Sequence, residues 1–495
     1  MATPDLQKLN IAIALMFFCA VVFFHDLGKF PIYMWDEARY ANNSLEMLLN
    51  GDFLNVKMDG QIDRWNYKPP LVLWLQVVSM KIFGISEWAV RLPSVLAGLG
   101  IAALMYGFCA SVLKSRLAGI TSVPFLMASG GFLHSHIARS ADLDAVLTFF
   151  LFAYALLFIH YLFEGKNSFI TFSLLAFLVS CAFLSKGLPG FFLLPFLFII
   201  SLLHKNYQKV FPHKMLYLAV LLVLLVSVGY YWLRELVLPG YWALLKKSEF
   251  NRFSGEGLGW HVQSFSFYIQ NFITLHRFNP FVYLVPFTLP VLSIGRTLQI
   301  RRFYLYCLII SVGYLLFISY PVVKLAWYDA PLYPFFCLML GMAVTEGAFW
   351  LKPRFLSKFS NVAVYILIGL VMILLCFKSS QYIWEKTTYH PTKMALEWEA
   401  EGVVMKQLFT AWPGEKDYTV FRKVTDEVHL DQIKFYKKMY SARNGYKIDI
   451  KRELTALKSN EKVLICQNNW LDSIQHIFQI EILFESEQGK LILLK

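Results

Sequence analysis

Runs of about 17–25 apolar residues recur through the first three quarters of this chain, each long enough to cross a bilayer as a helix. Composition leaves no soluble alternative. Of 495 residues, 57% are apolar, 17% aromatic and only 16% charged, more apolar surface than a soluble domain of that length can hide. The expected fold class is mainly α, a polytopic helical membrane protein. Spans fall near 9–25, 92–112, 117–133, 143–163, 168–184, 188–203, 215–233, 280–295, 303–320, 325–347 and 360–378, about 11 in all. The first run, Ile11–Phe24, is followed by Asp26, Lys29 and Pro31 without a small-residue cleavage site, so it reads as a retained span.

Short-loop cations set the expected orientation. Lys114 and Arg116, Lys166, the trio Lys205, Lys209 and Lys214, then Arg296, Arg301 and Arg302, and finally Lys352, Arg354 and Lys358 occupy alternate loops. All fall on one side if the N-terminus, with Lys8, is cytoplasmic. The opposite face then receives residues 26–91, His134–Leu143, Ser185–Leu188, Arg234–Asn279, Tyr320–Lys324 and everything after about 378. Pro69–Phe83 is too short to span and reads as an interfacial helix.

Residues 1–378 thus form the expected transmembrane domain, and 379–495 a small extracytoplasmic α/β domain. In the tail, "KDYTVFRK", "EKVLICQ", "IEILFES" and "KLILLK" have strand character, whereas "LDQIKFYKKMY" and "DIKRELTALKS" have helix character. The formal charge of +13 resides almost wholly in the membrane part, because Ser379–Lys495 holds 17 Lys/Arg against 16 Asp/Glu. The positive-inside bias and anionic membrane lipids account for it, without nucleic acid. Of seven cysteines, Cys19, Cys109, Cys181, Cys307, Cys337 and Cys376 lie in or beside apolar runs and Cys466 in the tail, with no spacing that suggests disulfides or zinc.

Ionisable residues collect on the expected outer face. "MWDEARYANNS" packs Asp36, Glu37 and Arg39 into four positions. Acids at a helix start favour the dipole, and Arg39 could simply pair with one of them; ionisable clusters at a membrane face are also a mark of function. In "DRWNYKPPLVLWL" the two prolines hold Lys68 on an extended segment, where it could snorkel to headgroups or hold a lipid-linked phosphate. Arg91, in "EWAVRLPS", marks the mouth of the second span. Asp142 and Asp144 open the fourth span, and residues two apart on a helix diverge by about 200°, so they cannot share one ligand face. His134 and His136 have the same spacing, which disfavours a metal pair. "LSKGLPG" is a tight turn with Lys186 at its tip, on the wrong side for a topogenic cation. "SEFNRFSGEGLGWHVQSF" is a long aromatic loop with Arg252, Glu256 and His261, suited to sugar stacking or to an interfacial belt. Lys324, Tyr328 and Asp329 sit in "YPVVKLAWYDAPLYP". Several cations plus several acids on one face suit a lipid-phosphate substrate, cations holding the phosphate while an acid activates an acceptor.

These residues carry a resemblance. "DEARYA", "YKPPLVLWL", "FGISEWAVRLPS", "ARSADLDAVLT", "FLSKGLPG", "FNRFSG" and "KLAWYDAPLYP" occur in the order found in PMT-type, GT-C membrane glycosyltransferases, and the chain most resembles the aminoarabinose (lipid A) transferase branch. The resemblance covers roughly residues 30–335. It implies a sugar taken from a polyprenyl-phosphate carrier and moved, with inversion, to a lipid A-like lipid, glycan or protein acceptor at the outer face of the cytoplasmic membrane. It also implies that Asp36 is the base on the acceptor hydroxyl and that Asp144, with Asp142, is the second acid. Arg39, Tyr40 and Lys68 fall on carrier-phosphate positions, and Lys186, Arg252, Lys324, Tyr328 and Glu37 complete the cavity. Two departures stand out: the span count is below the 13 the family suggests, and Tyr67 occupies a position where the nearest relatives carry an acid. No cofactor is indicated and no metal site is supported. A transporter or flippase of lipid-linked sugars is the alternative, although the two related halves common in transporters are not visible.

Overall fold

The computed structural model describes residues 4–133, 136–165, 168–204, 210, 212–255, 261–274, 277–278, 280–355, 366, 368–375, 377–379, 381, 393–423 and 430–495. Lys166, Lys205, Lys209, Lys358, Cys376, His134 and Glu256 lie outside the described residues, as does part of the expected last span. The chain is mostly helical with a small sheet domain at the C-terminus. It divides into two compact units that are discontinuous in sequence. The first comprises Met1–His25, Arg64–Val72 and Ser94–Trp384; the second comprises Asp26–Asp63, Leu73–Pro93 and Glu385–Lys495.

Among the described residues, six helices are long and apolar enough to cross a membrane: Glu87–Ser111, Asp144–Glu164, Ser168–Lys186, Lys214–Val237, Leu298–Ser319 and Leu332–Leu351. Asn10–Phe24, Arg116–Met127 and Leu188–Leu203 are shorter apolar helices, as is Leu71–Phe83, which begins directly after Pro70 as expected. The expected span at 280–295 is interrupted. It consists of the pieces Phe281–Leu284, Pro286–Thr288 and Val291–Ile294, because Pro286 and Pro290 each remove an N–H that a continuous helix needs. The span expected from 325 likewise starts later, with Ala326–Asp329 forming a 3₁₀ turn before the helix at Leu332.

In the first unit, helices Asp144–Glu164 and Ser168–Lys186 form an antiparallel hairpin closed by Gly165 in the left-handed region. Their near-equal lengths return the end of the second helix to the start of the first. Lys186 therefore meets Asp144 across 42 residues of sequence. After Lys186 the chain reverses through Gly187, whose φ of +82° strongly favours glycine, and Gly190, where a Cβ would collide with the backbone of Phe183. The helix at Leu332 packs on Arg116–Met127, where Thr121 donates to the Gly341 carbonyl and Ser122 fills the space a side chain at Gly341 would need. Lys214–Val237 leaves Leu218, Leu221, Leu222, Leu225 and Trp232 exposed, the surface expected of a lipid-facing helix.

In the second unit, a five-stranded sheet has the order β4-β3-β5-β7-β6. The strands are β3 Asp417–Phe421, β4 Lys447–Lys451, β5 Lys462–Ile465, β6 Ile480–Ser486 and β7 Gly489–Leu494; β1 Lys57–Met58 and β2 Gln61–Ile62 make a separate small hairpin. β3 runs parallel to β4 and β5, whereas β7 is antiparallel to β5 and β6. Phe421, Val463, Ile465, Ile474, Ile492 and Leu494 form the core beside the sheet. "DIKRELTALKS", expected as a helix, is instead the end of β4 followed by a 3₁₀ turn at Leu454–Ala456. Ile448 and Ile450 lie two apart, and parallel pairing with Tyr418 and Val420 outweighs the helical spacing of the leucines that follow.

Helix Asp431–Asn444 lies against helix Asp36–Asn50 in this unit, and Glu399 sits beside both. Met34 N–H donates to Glu399 at 3.0 Å, and Gln432 donates to its other oxygen. Burial, then the like charge of Glu37, raises the Glu399 carboxyl to about 7; burial also raises Asp431 to about 6. An acid whose folded pKa exceeds its unfolded value binds more protons when folded, so stability falls as pH rises from the unfolded value through the folded one. The thermal midpoint of this unit should therefore fall between pH 4.5 and pH 7.5, and Glu399→Gln should flatten that slope in scanning calorimetry.

Candidate active site

The residues expected on the outer face form two charged clusters, one in each unit. In the second unit the acids of "DEARYANNS" do start a helix, Asp36–Asn50, with Asp36 and Glu37 in its first turn, where the dipole favours them. Trp35 precedes it with φ of 77°, a conformation costly for a non-glycine residue by about 1–3 kcal/mol. Arg39 reaches well beyond the motif. It grips Asp63 with Nε and Nη2 at 2.9 and 2.7 Å and reaches Asp431 with Nη1 at 3.1 Å. Burial works against the Arg39 charge, but Asp63 and Asp431 outweigh it and hold the guanidinium above its ordinary value.

Glu37 is fully buried and takes a two-pronged contact from Arg91, at 2.8 and 2.9 Å, while accepting the Tyr33 N–H at 2.7 Å. The remaining Arg91 donors go to the carbonyls of Leu27, Phe30 and Pro31. Arg91 thus pins the segment that leads into the motif. Tyr40 is buried on the same helix.

The first unit assembles the other cluster into one connected network. Tyr67 packs among Phe183, Tyr230, Tyr231, Tyr241 and Leu245, and its carbonyl accepts from the Tyr241 hydroxyl at 2.6 Å. That fixes the backbone just before Lys68. The Tyr67 hydroxyl accepts from Lys68 Nζ at 2.9 Å and from Arg252 Nη2 at 2.9 Å. Arg252 Nη1 donates to the Tyr328 hydroxyl at 2.6 Å, and Lys186 Nζ lies 4.8 Å from the centre of the Tyr328 ring. Lys186 in turn contacts both oxygens of Asp144, at 2.5 and 2.6 Å. Glu249, one turn before Arg252 on helix Tyr241–Ser254, closes the other end with a 3.0 Å contact from Lys68.

Lys68, Asp144, Lys186, Arg252 and Tyr328 are therefore brought together. Asp142 precedes the helix that Asp144 opens, so helical spacing does not apply to the pair, and it takes different partners: it accepts from Ser140 at 2.8 Å and lies 3.4 Å from His136, whose ring stacks on Trp327 at 3.9 Å. Lys324 takes no part in the network; its Nζ donates to the carbonyls of Gln263 and Pro321. Tyr67 and Glu249 are the members that sequence reasoning missed as site residues. Glu249 lay in plain view, since its spacing from Arg252 on a helical stretch is that of a facing pair. A set of three cations threaded on tyrosines, with only two carboxylates, can hold an anion: guanidinium and ammonium groups supply charge and the hydroxyls supply geometry.

Comparison with known proteins supports the resemblance read from the sequence. The family described as "Dolichyl-phosphate-mannose-protein mannosyltransferase" matches residues 67–232, the stretch from Tyr67 through the Asp144–Lys186 hairpin. An undecaprenyl phosphate-alpha-4-amino-4-deoxy-L-arabinose arabinosyl transferase 2 of Proteus mirabilis is 27% identical over 408 residues, 81% of this chain and 70% of that protein. An uncharacterized protein of Aquifex aeolicus is 28% identical over 374 residues, 75% of this chain and 70% of its own length. The fold matches the crystal structure of ArnT from Cupriavidus metallidurans bound to undecaprenyl phosphate with a TM-score of 0.67 at 16% identity, over 99% of this chain and 98% of that one. These likenesses support a glycosyltransferase of the GT-C fold that is similar to the PMT-type, aminoarabinose transferase-like enzymes. The archaeal oligosaccharyltransferase AglB of Archaeoglobus fulgidus shares the fold more distantly, with a TM-score of 0.52 at 12% identity over 89% of this chain and 64% of that one.

The Glu37–Arg91 pair predicts an asymmetry. Arg91→Met strands a fully buried carboxylate and should destabilise the second unit by about 3–5 kcal/mol, read as a large fall in thermal midpoint. Arg91→Met combined with Glu37→Met removes the stranded charge and should recover much of that loss.

Proposed function

We propose that this transferase takes a monosaccharide from a polyprenyl-phosphate carrier and passes it to a lipid A-like lipid, a glycan or a protein at the outer face of the cytoplasmic membrane, with the N-terminus cytoplasmic and the tail domain outside. The observation that carries the reading is the largely buried network of Lys68, Lys186 and the partly exposed Arg252 around Tyr67 and Tyr328. A helical membrane chain bears the cost of burying three cations side by side where an anion is to be received. The Proteus relative is named for an undecaprenyl phosphate-linked sugar, and the Cupriavidus structure holds undecaprenyl phosphate, which supports a carrier of that class here.

In this reading Lys68 and Arg252 contact the phosphate and Lys186 adds charge beside it. Asp144 holds Lys186 in place through both oxygens. The bond between the anomeric carbon and the phosphate oxygen breaks as the acceptor oxygen attacks, and the second negative charge that develops on the leaving phosphate meets positive groups already in place. Such a leaving group needs no acid. One base on the acceptor hydroxyl then suffices, and attack from the face opposite the phosphate inverts the anomeric carbon. Asp36 is assigned as that base, with Arg39 and Tyr40 fixing its helix, Asp142 supporting the region of Asp144, and Lys324 and Glu37 shaping the surrounding chain.

Lys68→Ala and Arg252→Ala should each lower transfer on the order of 10- to 100-fold, the worth of a charge-assisted contact of about 1.5–3 kcal/mol. Asp36→Asn should lower it by about 10²–10⁴-fold without loss of carrier binding. The measurement is mass spectrometry of envelope glycolipids and glycoproteins from cells with and without each variant. Transfer that survives both Asp36→Asn and Lys68→Ala would sink this reading.

A further inference from the structure

Glu249 is an anomaly in a site for anions. Its carboxylate takes the Lys68 ammonium at 3.0 Å, lies 3.7 Å from Arg252 Nε, and also hydrogen-bonds the Tyr67 hydroxyl. It therefore engages the same two cations that Tyr67 bridges. Burial opposes its charge, but Lys68 and Arg252 outweigh that and hold the carboxyl below its ordinary value, so Glu249 is ionised at neutral pH. At the far end of the network the Lys186 charge is already matched by Asp144 through two short contacts. What remains at the Lys68 end is two positive charges against one negative, a surplus of one.

The two phosphates that a carrier-dependent transferase meets differ by about one charge. A sugar linked through phosphate to a polyprenol is a phosphodiester with a single negative charge. The carrier left after transfer is a monoester with a charge of about −1.5 to −2 at pH 7. We propose that Glu249 sets the charge of the phosphate that the site retains, matching the singly charged sugar phosphodiester and disfavouring the doubly charged carrier phosphate that transfer produces. The inference rests on the polyprenyl-phosphate reading above. Removing Glu249 would leave two unopposed cations, which is the complement of a dianion and not of the donor. The carboxylate thus limits product inhibition at the expense of absolute affinity. It acts on Lys68 and Arg252 by drawing on their donors and their field, and so is a specificity-determining residue, not a catalytic one.

The test compares undecaprenyl phosphate with its methyl diester, binding each to the purified full-length protein in detergent by native mass spectrometry. Glu249→Gln should tighten the monoester by at least about tenfold, equivalent to 1.4 kcal/mol, while changing the diester much less. Glu249→Asp, which keeps the charge, should leave the monoester-to-diester ratio near that of the parent. Equal changes for both ligands, or a monoester affinity that is unchanged or weaker in Glu249→Gln, would overturn the proposal. Should Glu249→Gln not fold, Glu249→Asn removes the same charge and is read by the same criteria. The polyprenyl-phosphate reading fails separately, if the parent binds neither ligand or if Lys68→Ala leaves monoester binding untouched.

Discussion

An ion inside a largely apolar chain has to be met by an opposite charge or a full set of hydrogen bonds, because neither lipid nor side-chain methyls can solvate it. That requirement organises both units. Arg91 spends its guanidinium on Glu37 and three carbonyls, Arg277 meets both oxygens of Asp329, and Lys186 meets both oxygens of Asp144. Against these closed pairs, the group around Tyr67 stands out as a set in which cations outnumber acids. Closed pairs hold the fold, and the surplus is where a ligand belongs.

The two clusters use arginine for different ends. Arg39 is held by carboxylates, with Asp63 gripping two of its nitrogens and Asp431 the third, so its geometry is fixed by the protein. Arg252 is held chiefly by two phenolic oxygens, weaker partners that a phosphate can displace. The same residue type is a strut in one unit and a contact in waiting in the other. Tyr67 is part of that second arrangement, and Glu249 brings a carboxylate to it from helix Tyr241–Ser254.

The helices that cross the membrane were legible because a run of some twenty apolar residues has few other fates. So was the segment starting at Leu71, which two prolines dictate. Partnerships were not. Asp144 and Lys186 are joined only once a hairpin of matched helices closes, and no local pattern records that. "DIKRELTALKS" was misread because strand pairing across the sheet, not its own spacing, determines its state. The interrupted stretch from 280 to 295 shows the opposite failure, hydropathy being blind to what Pro286 and Pro290 do to the backbone.

The helix that opens with Asp36 depends on residues made long after it. Arg39 bonds Asp431 across 392 positions, Asn42 bonds the Asp431 carbonyl across 389, and the Ile32 carbonyl receives Gln432 across 400. At a synthesis rate of about 5–20 residues per second, the early segment waits on the order of 20–80 s for these partners. Throughout that time its arginine and carboxylates are incompletely matched. The unit that holds Asp36 is therefore finished only after Asp431 and Gln432 have been made, so a chain cut before them, however well its helices insert, lacks the partners that fix this segment.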